Sequence, residues 1–297
     1  MHLEALSSGA TSHHNEDWAG VMQTSHGTDL IVLDGATSVA ERDYIDPDDG
    51  DVCWFVSRFA DALGPAIDAG LAQDAAVEQA VDAVYRAFRE RAAGQDIPLY
   101  AWPIAALSWV RVRPADGGHR LELYCLGDCT VLMRGPDGAV RDLDPFVNPQ
   151  EAIVRAAVAR LTADGVDDPA ARMARLLPML RERRVYQNTA PHANSLCLRP
   201  KGGFAPRRCT AEAPAGSSIL VMSDGFFRLV DTYRLHTPES LFALCTERGL
   251  QAAMDELRSH ETASRSTGAA VVKAADDASA VLWRPAFQRP GSAKSKS

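Results

Sequence analysis

Strand-like and helix-like segments come in groups along this chain rather than alternating one by one, and that grouping narrows the folds open to it. Three short apolar strand-like runs come first, LEALSSGA, WAGVMQT and DLIVLDG, and in the third Leu30 to Leu33 read as a buried strand ending at Asp34. Cys53, Phe55, Val56, Phe59, Ala60 and Leu63 then recur at helical spacing, and Ala76, Val77, Ala80, Val81, Val84, Tyr85 and Phe88 repeat the pattern. Two amphipathic helices are predicted over about 52–69 and 74–92.

Strand character returns in AWPIAALSWVRV and RLELYCLGDCTVLMRGPDGAVRDL, where ADGG and GPDG supply the turn chemistry of two antiparallel hairpins. Helical spacing recurs over 151–161 and 169–184, before the strand-like ANSLCLR and SSILVMS. Thr237 is placed to cap a helix with Pro238 in its first turn, a second helix spans 250–260, and ASAVLWR closes as a strand. Grouping of this kind favours an α+β fold with antiparallel sheets over a doubly wound parallel sheet. No internal repeat or long linker divides the chain, so residues 1–285 are expected to form one domain and the polar, basic residues 286–297 a disordered tail.

Composition bears on partners. Of 297 residues, 46% are hydrophobic, enough for a sizeable core, while 39 Asp and Glu against 31 Lys and Arg give a formal net charge of -8. An acidic surface argues against nucleic acid or an anionic membrane as the main partner and suits a protein that gathers cations. The start MHLEALSSGATSHH lacks the pattern of a signal peptide and no stretch approaches the roughly 20 apolar residues of a membrane span, so a soluble, cytoplasmic protein is expected. The six cysteines form no CxxC pair, and are read as reduced, mostly buried thiols.

Four segments, HNEDWAGV, IVLDGATS, ILVMSDGFF and KAADDASAVLW, each place a carboxylate at or beside the end of an apolar strand or at a turn. Carboxylates at strand ends can point into one cleft, where unpaired like charges repel and raise each other's pKa unless cations neutralise them. Hard oxygen donors suit magnesium or manganese. Any one strand followed by Asp-Gly is more often a plain turn. Neither a CxxxxxR loop nor a GxSxG elbow is present to supply a protein nucleophile.

Taken in order, NED, LDGAT, LGDCTVLM, LVMSDGFF and DDASAVLW resemble the successive motifs of the metal-dependent serine/threonine protein phosphatases of type 2C, bacterial type, from Gly9 to Trp283. The resemblance implies a four-layer αββα sandwich, two packed antiparallel β-sheets flanked by α-helices, with two manganese or magnesium ions in a cleft at one end. It implies that Asp34 bridges both ions and the Gly35 carbonyl completes one coordination sphere. Glu16 and Asp17 would serve the ion nearer the N-terminal segment, and Asp224 and Asp276 the other. Asp277, where many relatives have Asn, would orient Asp276 or a bound water. Asp128 matches an aspartate that in bacterial relatives can help bind a third ion, and equally could fix the turn between ELYCL and TVLMR. The implied reaction is dephosphorylation of phosphoserine or phosphothreonine in proteins, by in-line attack of a hydroxide bridging the two ions and without a phosphoenzyme.

The chain also departs from the family pattern. Active relatives usually carry a phosphate-gripping arginine where this chain has Ser12, leaving His13 and His14 as candidate phosphate ligands and Arg42 or Arg184 as cations that could reach the site. After Asp34 the relatives' DGxGG or DGHGG becomes DGATSV, so Ala36 stands where eukaryotic relatives have a histidine that can act as an acid. Trp18 beside NED either packs inside, as strand tryptophans usually do, or lines the cleft mouth. The helical stretch 149–184 is the expected flap over the cleft. The missing arginine leaves a small phosphorylated metabolite open as a substrate. The alternative reading is a pseudophosphatase, a regulatory binding module that keeps fold and metal without turnover, against which the retained carboxylates weigh.

Overall fold

The structure, a computed structural model, describes residues 1–11, 14–166, 168–267 and 275–285. The chain opens with β1 (His2–Ser8), β2 (Asp17–Thr24) and β3 (Gly27–Gly35), followed by helices α1 (Asp51–Asp68) and α2 (Gln73–Arg91). Then come β4 (Ile104–Ala115), β5 (Gly118–Leu126), β6 (Thr130–Arg134) and β7 (Val140–Asp142), and the helices α3 (Pro149–Ala163) and α4 (Pro169–Thr189). The remainder comprises β8 (Leu196–Cys197), β9 (Arg207–Pro214), β10 (Ser218–Met222), the single turn α5 (Asp224–Phe227), α6 (Pro238–Arg248), α7 (Leu250–Thr267) and β11 (Ala278–Arg284).

Two antiparallel sheets result, one ordered β1-β11-β10-β6-β7 and the other β2-β3-β4-β5-β9 with β8 beside β4. Side-chain alternation along β3 explains its unbroken apolar run. Leu30 and Val32 point into the space between the sheets, while Ile31 and Leu33 point the other way, under α1 and α2. In β10, Ile219 and Val221 meet the inter-sheet core and Leu220 and Met222 meet α6 and α7. Both faces of these strands are covered, so Leu30–Leu33 and Ile219–Met222 are apolar throughout, and helix, sheet, sheet and helix stack as the four expected layers.

Helices α1 and α2 start and stop within a residue or so of the stretches predicted, and α6 opens with a capping box in which Thr237 and Ser240 satisfy each other's backbone N–H groups. Three features go beyond the sequence reading. RRCTAEAP forms β9, an edge strand that shows no apolar alternation because most of it is exposed. ANSLCLR contributes only the two residues of β8, since β4 offers pairing partners at Ile104 and Ala105 alone. LGDC is not a hairpin turn: β5 and β6 belong to different sheets, and the segment carries the chain across. Gly127 makes that crossing at φ 79°, with its Cα face so near Ala106 that an added Cβ would stand 2.4 Å from the alanine Cβ. The predicted tail, 286–297, lies outside the described residues. Among those described, no helix is long and apolar enough to cross a membrane.

Candidate metal centre

The acidic segments meet at one end of the sandwich because the strands bearing them end there. Asp17 opens β2 and Asp34 closes β3, and antiparallel pairing puts the two directly opposite each other. Asp224 follows the end of β10, and Asp276 precedes β11. Asp128 sits on the crossing between sheets. The Asp224 backbone N–H reaches an Asp34 carboxylate oxygen at 3.3 Å.

Burial and mutual repulsion tell on these groups. Asp34 has its pKa raised well above the ordinary 3.8, first by removal from water and then by the charges of Asp224, Asp17, Asp128 and Asp276. Burial pushes Asp17 up to about 8, with Asp277 and Asp224 adding to it and the hydroxyls of Ser223 and Ser279 holding it back. The Oδ2 of Asp17 is buried without a hydrogen-bond partner. Cys129, fully buried beside them, is kept a thiol by burial and the same carboxylates.

The remaining predicted residues take up definite places. The Glu16 carbonyl accepts the Gly35 N–H at 3.0 Å, and its carboxylate accepts the Thr37 hydroxyl at 3.0 Å. Gly35 has no room for a side chain, since a Cβ would lie 2.4 Å from the Glu16 carbonyl oxygen. The Asp277 backbone N–H donates to the Asp276 Oδ1 at 3.1 Å. The Asp277 carboxylate accepts the N–H groups of Ala10 (2.7 Å) and Glu16 (2.6 Å), tying the NED segment down. Asp128 accepts from the Asn148 amide at 2.6 Å. His14 faces a separate depression and its Nδ1 lies 2.9 Å from the Asp49 carbonyl, while Ser12 and His13 lie outside the described residues. Arg42 stacks on Tyr44, and Trp18 folds its indole over Gly20 against the core under α1.

Further residues brace the cluster. Ser223 and Ser279 exchange backbone and side-chain hydrogen bonds beneath Asp17, and the Ser279 hydroxyl donates to Ser7. Arg228, one helical turn past Asp224, comes within 3.8 Å of Asp276. Arg258 on α7 donates to the carbonyls of Ser8 and Asp276. Arg184, only 6% exposed, donates to the carbonyls of Ala36 and Thr37 and so holds the loop after Asp34. Burial lowers its pKa to about 10, against the opposing pull of Glu16.

A cavity of about 230 Å³ opens over Asp34, Asp128, Asp224 and Asp276. Among the described residues no three His, Cys, Asp or Glu side chains are already grouped to hold an ion. The donor set nonetheless fits a hard divalent cation in kind: carboxylate and carbonyl oxygens, mutually repelling, with one buried oxygen of Asp17 lacking any partner.

Face-to-face antiparallel sheets with helices outside form an αββα sandwich with an acidic cluster at one end. Comparison with known proteins agrees. The Protein phosphatase 2C family profile matches residues 7–259. Solved structures with this fold include the catalytic domain of the serine/threonine protein phosphatase PstP in complex with two manganese ions, 19% identical, covering 95% of this chain and 96% of that one, TM-score 0.51. PppA, a regulatory component of T6SS in Pseudomonas aeruginosa, is 16% identical over 95% and 96% of the two chains, TM-score 0.52. The serine/threonine phosphatase Stp1 from Staphylococcus aureus is 13% identical over 95% and 94%, TM-score 0.51. No curated protein matches in sequence. The chain belongs to the protein phosphatase 2C family, and with it to the phosphatases, a class of hydrolase.

Proposed function

We propose that this chain dephosphorylates phosphoserine and phosphothreonine in proteins, using two manganese or magnesium ions held by its acidic cluster. The observation that carries the reading is Asp34, partly buried near the end of β3 amid four other aspartates whose charges all act on it. Asp34, the Gly35 carbonyl, Glu16, Asp17, Asp224 and Asp276 would hold the two ions, with Asp128 available to a third. Such ions supply neutralisation of phosphoryl charge and a water acidic enough to attack near neutral pH. The manganese complex of PstP, which shares the fold, supports the choice of metal.

The chain's own residues hold this arrangement in place. The Asp224 N–H steers one oxygen of Asp34, the Thr37 hydroxyl steers Glu16, and the Asn148 amide steers Asp128. Asp277 and Arg258 fix the backbones that carry Glu16 and Asp276. No Lys, Arg or His lines the cavity among the described residues.

Calorimetric titration with manganese tests this. Saturable binding to the wild type that is lost in Asp224→Asn is expected. Absence of binding in the wild type would sink the proposal, and binding without phosphate release from a phosphopeptide would favour the regulatory, non-hydrolysing alternative.

A further inference from the structure

The cavity is lined by two unlike sets of groups. Asp34, Asp128, Asp224 and Asp276 form one, and the other is built from neutral hydrogen-bonding groups, Asn148, Gln150, Asn194 and Ser195. Two polar atoms of that neutral wall are buried without partners, the Ser195 hydroxyl, on a residue 7% exposed, and the Gln150 Oε1. A buried polar atom left unpaired costs about 1–3 kcal/mol, so a wall that keeps two of them beside an open cavity is suited to a ligand that pairs them.

The wall is rigidly coupled to the acidic set. Asn148 donates to Asp128 while its own Oδ1 accepts the Gln150 N–H at 2.9 Å, and the Asn194 carbonyl accepts the Gly127 N–H at 2.7 Å, next to Asp128 in the chain. Ser195 leads directly into β8, so its position is set by the sheet.

Resting on the hydrolase reading above, we infer that this neutral wall is a subsite for the peptide groups flanking the phosphorylated residue, so that the substrate is recognised through its main chain. A peptide group offers one N–H and one C=O, which match the acceptor of Gln150 and the donor and acceptor of Ser195. Charged neighbours in a substrate find no cation on this wall to select them. Phe146, which lines the cavity and is held by the Arg207 guanidinium 3.8 Å from its ring, and Val147, 83% exposed beside it, give apolar surface to the side chains between those peptide groups. A polyhydroxylated sugar phosphate would leave that surface unused.

The test is binding of a labelled hexapeptide carrying a non-hydrolysable phosphonate in place of phosphothreonine, followed by fluorescence anisotropy with manganese present. Methylation of the peptide nitrogen next to the phosphonate residue is expected to weaken binding to the wild type about tenfold, the loss of one hydrogen bond. In Ser195→Ala and Gln150→Ala, each checked by thermal melting, binding is weaker at the outset and the same methylation costs less than about twofold. Equal methylation penalties in wild type and variants, no penalty at all, or tighter binding of glucose 6-phosphate than of the peptide would each overturn the subsite. Because the readout needs no turnover, a wild type that binds the peptide with these couplings but releases no phosphate from its phosphothreonine form contradicts the hydrolase reading alone.

Discussion

At the scale of single residues, the buried carboxylates set a pH dependence whose sign is fixed by their shifts. Asp17 is 6% exposed and titrates at about 8 in the folded chain against 3.8 ordinarily. Between those values the folded chain keeps a proton that the unfolded chain has released, so the stability of the metal-free protein falls as pH rises, and Asp34 adds to the fall. The melting temperature of the metal-free chain is expected to drop by about 5 °C or more from pH 5 to pH 8, with Asp17→Asn flattening the slope, as calorimetric scans would show. A rise over that window would contradict the account. The aspartates themselves were legible in the sequence because each follows or precedes an apolar strand, a local signal. Arg258, Asn148 and Ser195 were not, since what places them is tertiary: Arg258 reaches Ser8, 250 positions away in the chain, and Ser195 gains its meaning only from the cavity it lines.

Among elements, α4 is joined to the loop after β3. Arg184 spans from α4 to two carbonyls of that loop, and hydrogen bonds from a buried charged donor are worth about 1.5–3 kcal/mol each. Arg184→Met is expected to cost about 2–3 kcal/mol in urea unfolding and to weaken manganese binding, with Arg184→Lys a partial rescue because a single ammonium does not reproduce the planar fork. Unchanged stability and affinity in Arg184→Met would remove the joint from the account. A second prediction concerns α5. The Asp224-Gly225 pair looked like a strand-end turn, and it begins a helical turn whose Gly225 lies hard against β11: a Cβ there would stand 1.8 Å from the Asp277 carbonyl oxygen. Gly225→Ala is therefore expected to destabilise by about 1–3 kcal/mol, read from denaturant midpoints, through overpacking that also displaces Asp276. The elements with a repeating apolar signal, α1, α2, β3 and β11, could be read from sequence nearly to the residue. β9 could not, because an exposed edge strand is specified by the backbone of β5 and not by its own side chains.

For the whole molecule, the inter-sheet core decides whether the acidic end exists at all. Trp283 on β11 and Leu30 on β3, 1% and 0% exposed, belong to the layer between the sheets that holds the strand ends carrying Asp276 and Asp34 in mutual reach. Trp283→Ala is expected to cost about 3–5 kcal/mol in denaturant unfolding, the range for a large side chain removed from a packed core. The central claim, that the cluster around Asp34 is a metal-dependent phosphatase centre, is tested most directly by phosphate release from a phosphothreonine peptide measured against manganese concentration in the wild type and in Asp34→Asn. The account predicts saturable, manganese-dependent release by the wild type and background release by a variant that melts as a folded protein. Equal release by both, or none by a wild type saturated with manganese, would contradict it.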